Sequence, residues 1–142
     1  MGWVILSIIQ RFTIETVLRE KRMKKKFKVD VWDRKVTFCL TKESFLKATK
    51  EEAEGDCICM SVEGDAYILI NLEAFEHLPE SALLRSLSHE CNHAAIDMLE
   101  GCGVPISCEN QETICYTQDY IFAMCYEFLE SNREPHHNTL TN

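Results

Sequence analysis

His89-Glu90-Cys91-Asn92-His93 sets two imidazoles four residues apart with a carboxylate beside the first. On an α-helix that spacing stacks both rings on one face, where they can share one Zn²⁺ while Glu90 projects alongside. Two histidines with an intervening glutamate are the minimal set for a metal-assisted hydrolase, the glutamate serving as general base.

The surrounding pattern predicts the helix. Leu84, Leu87, Cys91, Ala94, Ala95 and Met98 recur at steps of three and four and form an apolar stripe. Ser86, His89, Glu90, His93 and Asp97 fall on the other side. Pro79 suits a first-turn position, Glu80 suits the positive end of the helix, and Gly101 with Gly103 supplies the stop. One helix over residues 79 to 100 follows.

Catalytic zinc takes three protein ligands and leaves a position for water, so a third ligand is required. The metzincin continuation is absent: Ile96 and Leu99 stand where it needs Gly and His. Cys102 and Cys108, just beyond the helix, are candidate thiolate ligands. Glu112 is the stronger candidate. It opens a second helical pattern between about residues 110 and 130, with Ile114, Cys115, Phe122, Ala123, Tyr126 and Leu129 as its apolar surface. Gly103 and Pro105 mark a turn that returns this helix antiparallel to the first, with Glu112, Tyr116 and Asp119 sharing a face. Tyr116 or Tyr120 would then be the donor to a tetrahedral oxyanion.

The arrangement resembles the gluzincin branch of zinc metallopeptidases. Leu87 to Ala94, the Gly103-Val104 turn, and Asn110 to Tyr116 followed by Asp119-Tyr120 are similar to small metallopeptidases carried by bacteriophages and prophages. The resemblance covers about residues 56 to 130. It implies His89, His93 and Glu112 as zinc ligands, Glu90 as general base, and Asp119 as an acidic residue orienting a histidine. The larger gluzincins carry an acidic residue one turn after the glutamate ligand, whereas this chain has Tyr116 there.

With 142 residues and 46% hydrophobic content, the chain can bury a single core. Its eight cysteines include no CxxC pair, and Cys39, Cys57, Cys59, Cys115 and Cys125 sit in apolar segments, so reduced, buried thiols are expected. Residues 3 to 9 are apolar but too few to span a bilayer, and they lack a basic flank and a cleavage site, which predicts a cytoplasmic protein without a transmembrane segment. Residues 1 to 22 read as an accessory amphipathic helix lying on the domain through Ile5, Ile8, Ile9 and Phe12; the alternative is a membrane-surface segment continued by the basic run up to residue 28. Met23 then opens a domain over residues 23 to 133, and residues 134 to 142, with His136 and His137, form a polar tail.

Charge is segregated. Seven of the ten residues from Arg19 to Lys28 are basic and read as a solvated linker, yet from Val29 onward seven Lys and Arg face twenty-one Asp and Glu. Such a body repels nucleic acid. The expected partner is a polypeptide substrate or a protein.

Residues 27 to 31 and 35 to 40 alternate like strands around a turn at 32 to 34. Residues 57 to 62 pair with a strand over 67 to 71 through Glu63-Gly64-Asp65, and a short helix spans 42 to 52. The predicted class is α+β and zincin-like, a small sheet packed against the HExxH helix and a second antiparallel helix. The gluzincin resemblance implies that residues 67 to 71 are the edge strand lining the cleft and binding an extended peptide, with a plain strand of the sheet core as the equal alternative. The expected activity is zinc-dependent peptide hydrolysis. A silent zinc-binding interaction protein of the same fold, acting on a host or phage partner, is the alternative.

Overall fold

The computed structural model describes residues 13–18 and 22–133. Residues 13–18 are helical (α1), followed by β1 (Lys24–Val29), β2 (Arg34–Cys39), α2 (Lys42–Thr49), β3 (Cys57–Val62), β4 (Asp65–Ile70), α3 (Glu80–Gly101) and α4 (Gln111–Asn132). The strands form one mixed sheet in the order β1-β2-β4-β3, with β2 and β4 parallel and both outer pairs antiparallel. The fold is α+β.

Strand β1 begins three residues earlier than its alternation predicts, inside the lysine run taken for a linker. Phe27 and Val29 point into the core while Lys24, Lys26 and Lys28 stay exposed, so the charged run doubles as the solvent face of an outer strand. A short 3-10 turn, Asp30–Trp32, closed by Asp33 in the left-handed region (φ 52°), then replaces the predicted end of the strand. In the second hairpin, Val62 opposes Asp65, and Glu63 and Gly64 both take positive φ, 52° and 85°. That is the geometry of a two-residue loop whose twist matches the flanking strands.

The expected edge strand is an interior one. Strand β4 lies between β2 and β3, with Ala66, Ile68, Leu69 and Ile70 all buried, because both its faces are covered. The free edge beside α3 belongs to β3, and no described backbone group pairs with its outer side.

One face of the sheet carries α3 and α4. Val36, Phe38, Leu40, Ile68 and Ile70 pack there against Leu83, Leu87, Cys91, Ala94 and Met98 of α3 and Ile121, Cys125 and Leu129 of α4. Truncating one such side chain, Leu87→Ala for example, costs roughly 2–5 kcal/mol. The opposite face carries α2, whose Phe45 packs on Cys39 and Leu69. Helix α2 is held at its start by a capping box between Thr41 and Ser44, and it stops at Thr49 because Lys50 turns left-handed (φ 67°). That is three residues short of the predicted end.

Helices α3 and α4 run antiparallel, as the Gly103 turn (φ 76°) requires. Arg133 at the end of α4 donates to Glu80 at the start of α3 at 2.7 Å. Trp32 Nε1 donates to the buried Thr117 Oγ1 at 3.0 Å, tying the β1–β2 connection to α4. Cys115 and Ala123, expected on the apolar surface of α4, are exposed, since the buried row runs through Thr117, Ile121, Cys125 and Leu129. Among the described residues no helix is long and apolar enough to cross a membrane. Ile5, Ile8, Ile9, Phe12, His136 and His137 lie outside the described residues.

Candidate metal and hydrolase site

Helix α3 presents His89 and His93 on its solvent side, both exposed, while Leu87, Cys91, Ala94 and Met98 hold the opposite side in the core. The helix therefore cannot rotate to bury the histidines without exposing its stripe. The two rings are nearly perpendicular, 75° between planes, with Nε2 facing Nε2 at 3.1 Å. Two nitrogens each about 2.0–2.1 Å from a tetrahedral zinc stand about 3.3 Å apart. The pair thus has the bite of a bidentate zinc donor. The same contact is a hydrogen bond when one imidazole carries a proton on Nε2, and a pair of converging lone pairs when both protons sit on Nδ1.

Glu90 is buried, unlike His89 and His93, and lies on the β3 side of the helix. Its carboxylate helps to raise the pKa of the Cys57 and Cys59 thiols, both of which are pushed up mainly by burial. Cys57, Cys59 and Ser61 alternate onto the α3 side of the edge strand. Ser61 Oγ donates to Asp97 Oδ2 at 3.0 Å, one turn past His93. The wall beside the histidines is accordingly made of Glu90, Asp97 and the odd-numbered residues of β3. The period-two pattern of β3 and the four-residue step from His93 to Asp97 both carry that wall, yet neither singled out Ser61.

The remaining expected site residues lie elsewhere. Glu112 is exposed in the first turn of α4. No group of three or more His, Cys, Asp and Glu side chains able to hold a metal occurs among the described residues, so Glu112 does not stand with the two histidines as a third ligand. Toward α3 the second helix presents Gln118 instead, which donates to the carbonyl and hydroxyl oxygens of Ser88 at 3.4 Å each. Asp119 lines the shallow cleft of about 470 Å³ between the helices with Arg85, Ser88 and Gln118.

Both tyrosines occupy the β1 side of α4, away from α3. Tyr120 donates its hydroxyl proton to the Lys28 carbonyl at 3.1 Å and sets its ring edge-on to Phe27. Tyr116, 69% exposed, borders a cavity of about 280 Å³ with Val29, Asp30 and Val31. The helical rotation that buries Ile121 and Cys125 turns both phenols, expected as oxyanion donors, toward the β1 edge of the sheet. Cys102 Sγ is directed at the Trp32 carbonyl, 3.9 Å away, and Cys108 is exposed. No protein-family model matches the chain, and neither a curated protein nor a solved structure was found to match it.

Proposed function

We propose that the protein is a zinc-dependent hydrolase that cleaves peptide bonds, a small metallopeptidase of gluzincin type. The observation that carries the reading is the 3.1 Å approach of the exposed His89 and His93 Nε2 atoms. Their spacing fits two of the ligands of a tetrahedral zinc. Glu112, an exposed side chain in the first turn of α4, is the proposed third ligand. It reaches the metal only if that turn shifts toward α3.

Bound between the histidines, zinc would supply a Lewis acid that lowers the pKa of a coordinated water to about 7. Glu90 is the proton carrier. Its carboxylate, buried beside His89 and His93, accepts the water proton on one oxygen and returns it to the leaving amine nitrogen as the peptide bond breaks. The free edge of β3 would align an extended peptide by backbone hydrogen bonds, with Cys57, Cys59 and Ser61 facing α3 beneath it. The second reading is a zinc-binding interaction protein of the same fold without turnover, which would use the same histidine pair.

Metal analysis of the full chain, paired with cleavage of a broad peptide library by wild type and Glu90→Gln, tests both. The hydrolase reading expects close to one equivalent of zinc in each and cleavage by wild type alone. Zinc without cleavage in either form transfers the assignment to the interaction protein. No zinc after reconstitution under reducing conditions removes both.

A further inference from the structure

We infer that the surface formed by helix α1 and the outward lysines of β1, beside α2, docks onto an anionic lipid bilayer. Two features meet there. Helix α1 is exposed along its whole described length, and Ile14, Val17 and Leu18, at the i, i+3, i+4 spacing of a single face, are 58%, 46% and 45% exposed. Next to it, β1 directs Lys24, Lys26 and Lys28 outward from the sheet, on the side away from the core that contains Phe27 and Val29.

The two features are contiguous. Thr16 of α1 shares a cavity of about 200 Å³ with Met23, Lys24, Ser44 and Lys47. Lys24 and Lys47 go on to line a second, open hollow of about 410 Å³ with Lys26, Thr37 and Tyr67. The exposed helix α1 and the outward lysines of β1 are therefore neighbours on the surface beside α2. Lys28 is neutralised locally by Asp33 at 2.7 Å, and Lys47 pairs with Glu43 at 3.1 Å. Lys24 and Lys26 form no ion pair with another described residue.

Charge decides the occupant. From Val29 onward the chain is strongly acidic, so a polyanion is repelled from every approach except the lysine face. A phosphate backbone would use the lysines and leave Ile14, Val17 and Leu18 in water. A bilayer with anionic headgroups uses both, since apolar side chains enter the acyl boundary while lysines stay at headgroup level. Docked in this way, the sheet lies between the membrane and α3, and the exposed His89 and His93 face away from the lipid.

The experiment is co-sedimentation of the full chain with phosphatidylcholine vesicles and with vesicles in which about one lipid in four is phosphatidylglycerol, with duplex DNA and inorganic phosphate as competitors. Binding is expected to the anionic vesicles alone and to weaken as the Debye length falls from about 10 Å at 0.1 M salt to about 3 Å at 1 M. Lys24→Gln with Lys26→Gln should lower vesicle affinity about thirtyfold. Val17→Ser with Leu18→Ser should lower it about tenfold or more while leaving net charge intact. Both pairs are exposed, and unchanged circular dichroism establishes that they fold. Equal binding to neutral vesicles, no binding to anionic ones, indifference to either pair, or displacement by duplex DNA or phosphate as effective as by anionic vesicles would overturn the inference.

Discussion

Ser61 Oγ and Asp97 Oδ2 lie 3.0 Å apart, so the free-edge strand β3 is fastened to α3 one turn beyond His93. Asp97 is thereby committed to the strand. Asp97→Asn keeps an acceptor for Ser61 and removes the charge, and it is expected to leave zinc stoichiometry unchanged. Loss of zinc in Asp97→Asn would identify Asp97 as a ligand and exclude a fastening role. Metal analysis after dialysis distinguishes the two.

Glu112 is the proposed third ligand, and its exposure in the first turn of α4 makes the expectation sharp. Glu112→Ala should weaken zinc binding by at least about 100-fold, close to the effect of His89→Ala, because two donors alone bind poorly. Glu109→Ala, Cys102→Ser and Cys108→Ser should bind as wild type. Competition titration against a chromophoric chelator measures all five variants. An unaffected Glu112→Ala together with a weakened Cys102→Ser would reassign the ligand.

The eight free cysteines divide by environment. Cys108 and Cys115, exposed, should react with a maleimide at neutral pH, while Cys39, Cys91 and Cys125 should react only on unfolding. Burial pushes the Cys39 thiol up to about 11, against weaker opposing effects of Ser44 and Lys24. An unfolded thiol titrates near about 8.5. Between those values the folded chain retains a proton that the unfolded chain has lost, so this group's contribution to stability is present below about pH 8.5 and fades as pH rises toward the folded value. Urea midpoints at neutral and alkaline pH report it. A midpoint unmoved in Cys39→Ser relative to wild type across that window would contradict the burial effect.

Thr117 accepts the Trp32 indole proton at 3.0 Å and donates to the Thr113 carbonyl at 2.8 Å, in a site where Thr117 is buried. Thr117→Val keeps the shape and strands the indole N–H. A loss of about 1–2 kcal/mol is expected by chemical denaturation. A smaller loss in Trp32→Phe, which removes the unsatisfied donor, would confirm that the cost lies in the stranded group.

The α3 helix was legible because period, Pro79, Glu80 and Gly101 agree, and the observed Glu80–Gly101 differs by one residue at each end. The turn at Glu63-Gly64 was legible from its glycine between two alternating runs, although Asp65, read as part of the turn, pairs with Val62 as the first residue of β4. The first half of strand β1 was not, because four of its six residues are lysines, three of them on the solvent face, and composition alone cannot separate such a face from a linker. The mistaken edge had a visible remedy. Ile68-Leu69-Ile70 is apolar on both faces, the mark of a strand with neighbours on either side. His89 and His93 followed from helical period alone. The positions of Glu112, Tyr116 and Tyr120 depend on the rotation of α4 about its own axis, which Thr117, Ile121 and Cys125 set from within the core and no local motif records.

The parallel seam between β2 and β4 joins two hairpins that are each closed within themselves. Each hairpin can form alone in about 1–10 μs, whereas the seam pairs Val36 with Ala66 and Cys39 with Leu69, residues thirty apart, and gains nothing until α2 and β3 have been threaded between them. Assembly therefore has a natural order, with two fast local closures and one slow docking of preformed halves. A conservative truncation at the seam, Ile68→Val, should retard refolding, while one remote from it, Leu129→Ala, should chiefly hasten unfolding.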